Sequence, residues 1–186
     1  MEKIYVYISL KGASLPVGSL WTHQASSSFQ YCEAWLQNPE SFSLDPHLLL
    51  QQGMFHTKGS FGCIADAMPN RWGKTLLERQ EQHVAKQTGR AAKKLGNLDY
   101  LLGVADISRS GALRFSLQEN GKFLSINPSG HMPLVHLSEL LAASKKVLEK
   151  KESRQDLDKI LAPGSSLGGA RPKAAVIDAG AFYVDA

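Results

Sequence analysis

The chain has 186 residues, 43% hydrophobic and 20% charged, with a formal net charge of +4 and a sequence pI near 9.1. Those values exclude a disordered chain and leave room for one well-cored domain or two small ones. No apolar run approaches the roughly 20 residues needed to span a bilayer, and Met1-Glu2-Lys3-Ile4-Tyr5-Val6-Tyr7 lacks the apolar core of a signal peptide, so a cytoplasmic protein is expected. The positive balance permits contact with nucleic acid without requiring it. The densest cluster, Lys145-Lys146 to Lys150-Lys151, is interrupted by Glu149 and followed by Glu152, which reads as a solvated helix face. No RRM, zinc-finger or helix-turn-helix signature accompanies it. Cys32 and Cys63 fit a reducing compartment, without a disulfide and without a zinc site.

Residues 3 to 10 alternate, with Ile4, Val6 and Ile8 against Tyr5, Tyr7 and Ser9. Gly12 then signals a turn, and Leu15 to Trp21 holds a second strand, so a hairpin is predicted. Pro16 and Gly18 mark that second strand as an edge. Phe29 to Leu36 reads as a third strand or a helical turn, the strand favoured by its aromatic alternation, and Asn38-Pro39 stops it. Pro46 to Gly59 shows no periodicity and is expected to be irregular.

Asn70 is a good N-cap for a helix over Arg71 to Thr88, with Gly89 in the C′ position. Trp72, Leu76 and Val84 share one face of it, Leu77 lying at the margin. A second helix is expected over Arg90 to Leu102, with Gly96-Asn97 as a place where it can split. Gly111 to Leu117 alternates as a strand, and Asn120-Gly121 turns it into Lys122 to Ile126. Pro128 to Pro133 reads as a linker. Leu137 to Lys151 is a predicted helix with Leu137, Leu140, Leu141 and Leu148 on one side, and Arg154 to Leu161 a shorter one ending at Pro163-Gly164.

The six histidines are scattered, and none stands in a metalloprotease or hydrolase motif. Asp66, Arg71, Trp72 and Lys74 cluster as a site would. The structural reading competes: Asp66 capping a turn, Asn70 opening the helix, Trp72 filling the core.

The stretch Pro163 to Asp178 carries the strongest chemical signal. Gly168 and Gly169 can turn backbone N–H groups inward around an anion, with the charges of Arg171 and Lys173 beside them. A short apolar strand follows at Ala174 to Ile177. Walker A and Rossmann spacings are both missing, which leaves either an ordinary surface loop, the reading that composition alone favours, or a glycine-rich flap ahead of a strand, as in protein kinases.

Ser165-Ser166-Leu167-Gly168-Gly169-Ala170-Arg171-Pro172-Lys173-Ala174 closely resembles the glycine-rich loop of the HipA family, the Ser/Thr kinase toxins of bacterial toxin–antitoxin systems. Phe61 to Lys74, Leu98 to Val104 and Gly111 to Phe115 resemble the same family in the same order. The resemblance runs from about residue 3 to 184 and covers only the family's N-terminal part.

The resemblance implies an α+β chain with an N-terminal antiparallel β-sheet subdomain and packed helices over residues 1–128. The beginning of a kinase-like N-lobe, including the glycine-rich loop, would occupy 129–186. It implies that Gly168, Gly169, Ala170, Arg171, Pro172 and Lys173 face ATP phosphates, and that Ser166, or its neighbour Ser165, is the site of inhibitory autophosphorylation. ATP and Mg²⁺ are the cofactors of the full-length family. Where the family writes a strand followed by Ala-Lys-Phe, this chain reads Ala181-Phe182-Tyr183-Val184-Asp185-Ala186, so Ala186 stands at the lysine position. The expectation is a chain inactive alone, without tight ATP binding and without a metal site. Its partners would be a HipB-like antitoxin, a separate kinase subunit, or itself through 173–184, with DNA contacted only through an antitoxin. The rival expectation is a stand-alone small subunit that acts as an antitoxin on a separate HipA-like kinase.

Overall fold

A computed structural model describes residues 3–23, 26–104, 106, 109–123, 136–164, 171–172, 176–178 and 181–183; for 162–164 and the last two strands it describes the backbone. The chain groups into two compact units. One is Met1–Met68 with Gly96–Leu101 and Ser110–Leu124; the other is Pro69–Leu95 with Leu102–Arg109 and Ser125–Ala186. The architecture is α+β.

The first unit is built on β1 (Lys3–Leu10), β2 (Ala13–Thr22), β3 (Ser26–Tyr31), β4 (Met54–Lys58) and β5 (Leu113–Ser116). They form one antiparallel sheet in the order β4-β3-β2-β1-β5. Register follows the alternation that the sequence displays: Ile4 pairs with Leu20, Leu20 with Phe29, and Phe29 with Phe55, all on one face. Ile4, Val6, Leu20, Phe29 and Phe115 are buried on that face, and Leu101 of α4 (Asn97–Leu102) joins their cluster.

Three expectations need correction here. β2 is the central strand, not an edge. Its Pro16 lies opposite Tyr7 beside a register shift between Val6 and Tyr7, where a ladder bond is already interrupted. Gly18 is there for space: a Cβ would lie 2.2 Å from the Gln30 carbonyl oxygen and 2.8 Å from the Phe29 ring. The third strand ends at Tyr31. The Cys32 N–H donates to the Val17 carbonyl at 2.9 Å, and α1 (Glu33–Leu36) follows, burying Trp35. The stretch expected to be irregular contains β4, an outer strand between Gly53 and Gly59, both at positive φ.

In the second unit, α3 (Arg71–Gln87) starts where predicted. The Asn70 carboxamide oxygen accepts from the N–H groups of Trp72 and Gly73 at 2.9 and 3.2 Å, and Gly89 takes φ +66° after the end. Trp72, Leu76 and Leu77 are buried along it, while Ala85 rather than Val84 continues the face. The next predicted helix survives only as α4. Glu81 receives the Arg90 guanidinium at 2.9 Å and the Lys93 N–H at 2.8 Å, which holds residues 90–93 out of a helix.

α3 and α5 (Leu137–Glu149) both pack on α6 (Arg154–Gly164). Ser153 and Asp156 open α6 with a reciprocal capping box: the Ser153 N–H donates to the Asp156 carboxylate at 2.8 Å, and the Asp156 N–H to the Ser153 hydroxyl at 3.2 Å. On α5 the buried face is Leu140, Ala143, Ser144 and Val147. Leu137, Leu141 and Leu148, expected to share it, are 71, 57 and 61% exposed.

Strand β5 ends at Ser116, with Leu117 partly exposed. Asn120 makes the predicted turn at φ +54°, and its N–H donates to the Tyr7 hydroxyl at 2.7 Å. Lys122 and Phe123 are not in a strand, and residues 124–126 lie outside the described ones. β6 (Val176–Asp178) and β7 (Ala181–Tyr183) form a separate two-stranded antiparallel sheet.

Candidate functional site

In the chain, α6 precedes the glycine-rich stretch and β6 follows it. Of the residues predicted to face phosphate, Arg171 is exposed and Pro172 half-buried. Ser165, Ser166, Gly168, Gly169, Ala170 and Lys173 lie outside the described residues.

A second site, not legible as a motif, lies in the first unit. Its organiser is Asp45, only 7% exposed. One carboxylate oxygen accepts from the His47 N–H at 2.9 Å and lies 3.1 Å from the His47 ring nitrogen; the other accepts from the Cys63 N–H at 3.2 Å. Burial works against its charge, but the backbone hydrogen bonds of His47 and Cys63 and the His47 ring outweigh burial and hold the carboxyl below its ordinary range. Asp45 thereby caps α2 (Gly62–Asp66), whose own N-cap residue, Phe61, supplies no side-chain cap.

Tyr31 fixes the same loop from the sheet side. Its hydroxyl donates to the Leu48 carbonyl at 2.9 Å and accepts from the Leu44 N–H at 3.0 Å. Trp35 completes the brace: its indole N–H donates to the Phe42 carbonyl at 3.3 Å, and its ring meets Phe42 edge-on at 5.5 Å between centroids.

This brace shapes an open apolar cavity of about 360 Å³. The end of β1 contributes Ile8 and Leu10, the braced loop Phe42 and Leu44, α2 Cys63 and Asp66, and the residue after it Ala67. The approach to β5 closes it from Ser110 to Leu113. Burial, reinforced by the negative charge of Asp45, pushes the Cys63 thiol up to about 12, so it stays protonated and acts as wall, not nucleophile. Asp66 is exposed at the end of α2, with no capping hydrogen bond among the described residues; Asn70 and Trp72 do take the structural roles foreseen for them.

A family model, the HipA N-terminal domain, matches residues 8–100. The chain belongs to that family. No curated protein gave a match. The HipA match runs from β1 through α4 and takes in Asp45 and the α2 side of the cavity; β5 and the glycine-rich loop lie beyond it. It covers the family's N-terminal domain, which is not its catalytic part. Among the described residues the histidines form no cluster able to hold a metal, and both cysteines are free. No helix of the described residues is long and apolar enough to cross a membrane.

The sequence did hold a signal for the second site. Asp45-Pro46 is a turn-forming pair, and Asp45 stands two residues before His47, as in an Asx turn. Nothing local, however, joins it to Cys63.

Proposed function

We propose that these 186 residues act as the binding and regulatory module of a HipA-like Ser/Thr kinase toxin and do not transfer phosphate by themselves. The observation that carries this reading is the family match over residues 8–100, in the domain that accompanies the kinase rather than in the kinase itself. The chemistry of the first unit points the same way. Its buried carboxylate is saturated with donors, and its half-buried thiol is neutral, which suits a rigid docking surface better than a reacting centre.

The glycine-rich loop belongs to the same proposal. With a kinase-competent partner, Gly168 to Lys173 would contact ATP phosphates, and Ser166 or Ser165 would accept a phosphoryl group that the exposed Arg171 can pair with. Fixing a glycine-rich loop around phosphates costs about 1–2 kcal/mol per residue, and the ATP affinity of these residues by themselves should be weaker than about 1 mM. Among the described residues β6 and β7 pair only with each other, and a two-stranded sheet is at best marginally stable by itself, which supports a partner strand along 173–184. The proposed setting is the cytoplasm, where free cysteines persist.

The test is co-expression with a HipA-type kinase core that lacks this region, followed by pull-down and kinase assay. Capture together with restored autophosphorylation supports the reading. Capture with inhibition assigns the chain to the rival role of an antitoxin-like subunit. Micromolar ATP binding by the chain alone, in calorimetry, would overturn the proposal.

A further inference from the structure

The cavity at the ends of β1 and β5 is a part of the first unit's core left open to solvent. Leu10, Leu44 and Ala112 pack on the core and also line the opening, while Phe42 is 44% exposed at its edge. Its walls are held in place beforehand. Trp35 fixes Phe42, Tyr31 fixes Leu44, and Asp45 fixes the helix that carries Asp66, so a ligand would lose little ordering entropy of the protein on entering. Asp66 is the one charged residue of the lining, and no cation pairs with it among the described residues.

We propose that this cavity docks an extended segment of a partner protein in which a large apolar side chain, best an aromatic one, stands next to a lysine or arginine. About 360 Å³ exceeds what one aromatic side chain fills and leaves space for the flanking backbone. The apolar wall selects the aromatic group. The lone carboxylate selects a cation beside it and disfavours an acidic neighbour. The protonated Cys63 thiol adds soft apolar surface, so the contact is non-covalent. This inference rests on reading the chain as a binding module and names the chemistry of its partner.

The experiment uses the whole chain and three fluorescein-labelled Gly/Ser octapeptides that differ only in carrying Trp-Arg, Trp-Glu or Ala-Arg at their centre. In fluorescence anisotropy at low salt, the Trp-Arg peptide should bind tightest. Replacing its Trp by Ala should weaken binding at least about tenfold, and replacing its Arg by Glu about threefold. Asp66→Lys, a change at an exposed position, should reverse the preference between the Arg and Glu peptides. Ala112→Trp should fill the opening and abolish binding, with a thermal melt to establish that it still folds; should it unfold, Asp66→Lys decides alone. Equal affinities for the three peptides, no saturable binding of the Trp-Arg peptide, or an unchanged preference in Asp66→Lys would sink the proposal. Tryptamine binding as tightly as the Trp-Arg peptide would also overturn it, assigning the cavity to a small amine. If the peptides behave as expected while the kinase pull-down fails, the docking surface stands and the toxin-module reading does not. If the pull-down succeeds equally with Asp66→Lys and Ala112→Trp, the partner docks elsewhere and this inference fails.

Discussion

In the sheet unit, Ile4, Leu20, Phe29 and Phe115 are fully buried on four strands, three consecutive in the chain and the fourth, β5, about 80 residues further on. In the helical unit, α5 buries Leu140, Ala143 and Val147 and leaves Leu137, Leu141 and Leu148 more than half exposed. The first unit closes its core by cross-strand pairing and then pins its longest loop with side-chain hydrogen bonds from Tyr31, Trp35 and Asp45. The second relies on helix faces and on local caps, Asn70 for α3 and the Ser153–Asp156 box for α6. An apolar residue therefore means different things in the two. In the sheet its face is settled by register, whereas on α5 an apolar arc wider than the covering helix leaves part of itself to solvent.

The sharpest way to break this contrast is Gly18→Val. The new side chain would collide with the Gln30 backbone in the middle of the sheet, and a loss above about 4 kcal/mol is expected in urea unfolding. A loss below about 1 kcal/mol would show that β2 is not held between β1 and β3 as described. Phe29→Ala should cost about 3–5 kcal/mol by the same measurement, because a fully buried ring leaves a cavity the sheet cannot collapse around.

Asp45→Ala should cost about 2–3 kcal/mol, since the N–H groups of His47 and Cys63 lose a buried charged acceptor. It should also blunt the acid transition. The carboxyl of Asp45 is held below its ordinary value of 3.8, and that of Asp156 at about 2 through its hydrogen bonds to Lys146 and Ser153, which outweigh burial. Groups with lowered folded-state values stabilise fully above the unfolded value and lose that contribution as pH falls through the folded one. Stability should therefore decline from about pH 4 downward, less steeply in Asp45→Ala, in circular dichroism followed against pH.

Ser153→Ala removes one side of the α6 capping box and should cost about 1 kcal/mol in thermal or urea unfolding. The smallest effect is expected for Leu141→Gln, which should change stability by no more than about 0.5 kcal/mol. A loss of about 2 kcal/mol there would mean that the exposed leucines are covered in solution and that the two units are more alike than they look.

What the amino-acid sequence determined by itself was whatever depends on near neighbours. The alternation of Ile4, Val6 and Ile8 specifies a strand with one apolar face. Asn70 ahead of Trp72 and Gly73 specifies a helix start, because cap and capped N–H groups are two and three residues apart. The HipA likeness was also legible in the wording of Phe61 to Lys74, which lies inside the family match over 8–100 that established it. What only the tertiary structure decided depends on residues far along the chain. β4 is a strand because β3 pairs with it; its own five residues bury little. β2 is central because β3 and β1 flank it, although proline and glycine argued for an edge. The helix α2 begins where it does because Asp45, 18 residues away from Cys63, caps it. The covered face of α5 was likewise beyond the sequence, for its leucines are chemically equivalent until α6 packs against one side of them. The cavity has the same origin: Leu10, Phe42, Cys63 and Ala112 form a site only because hydrogen bonds and strand pairing over tens of residues bring four separate segments together.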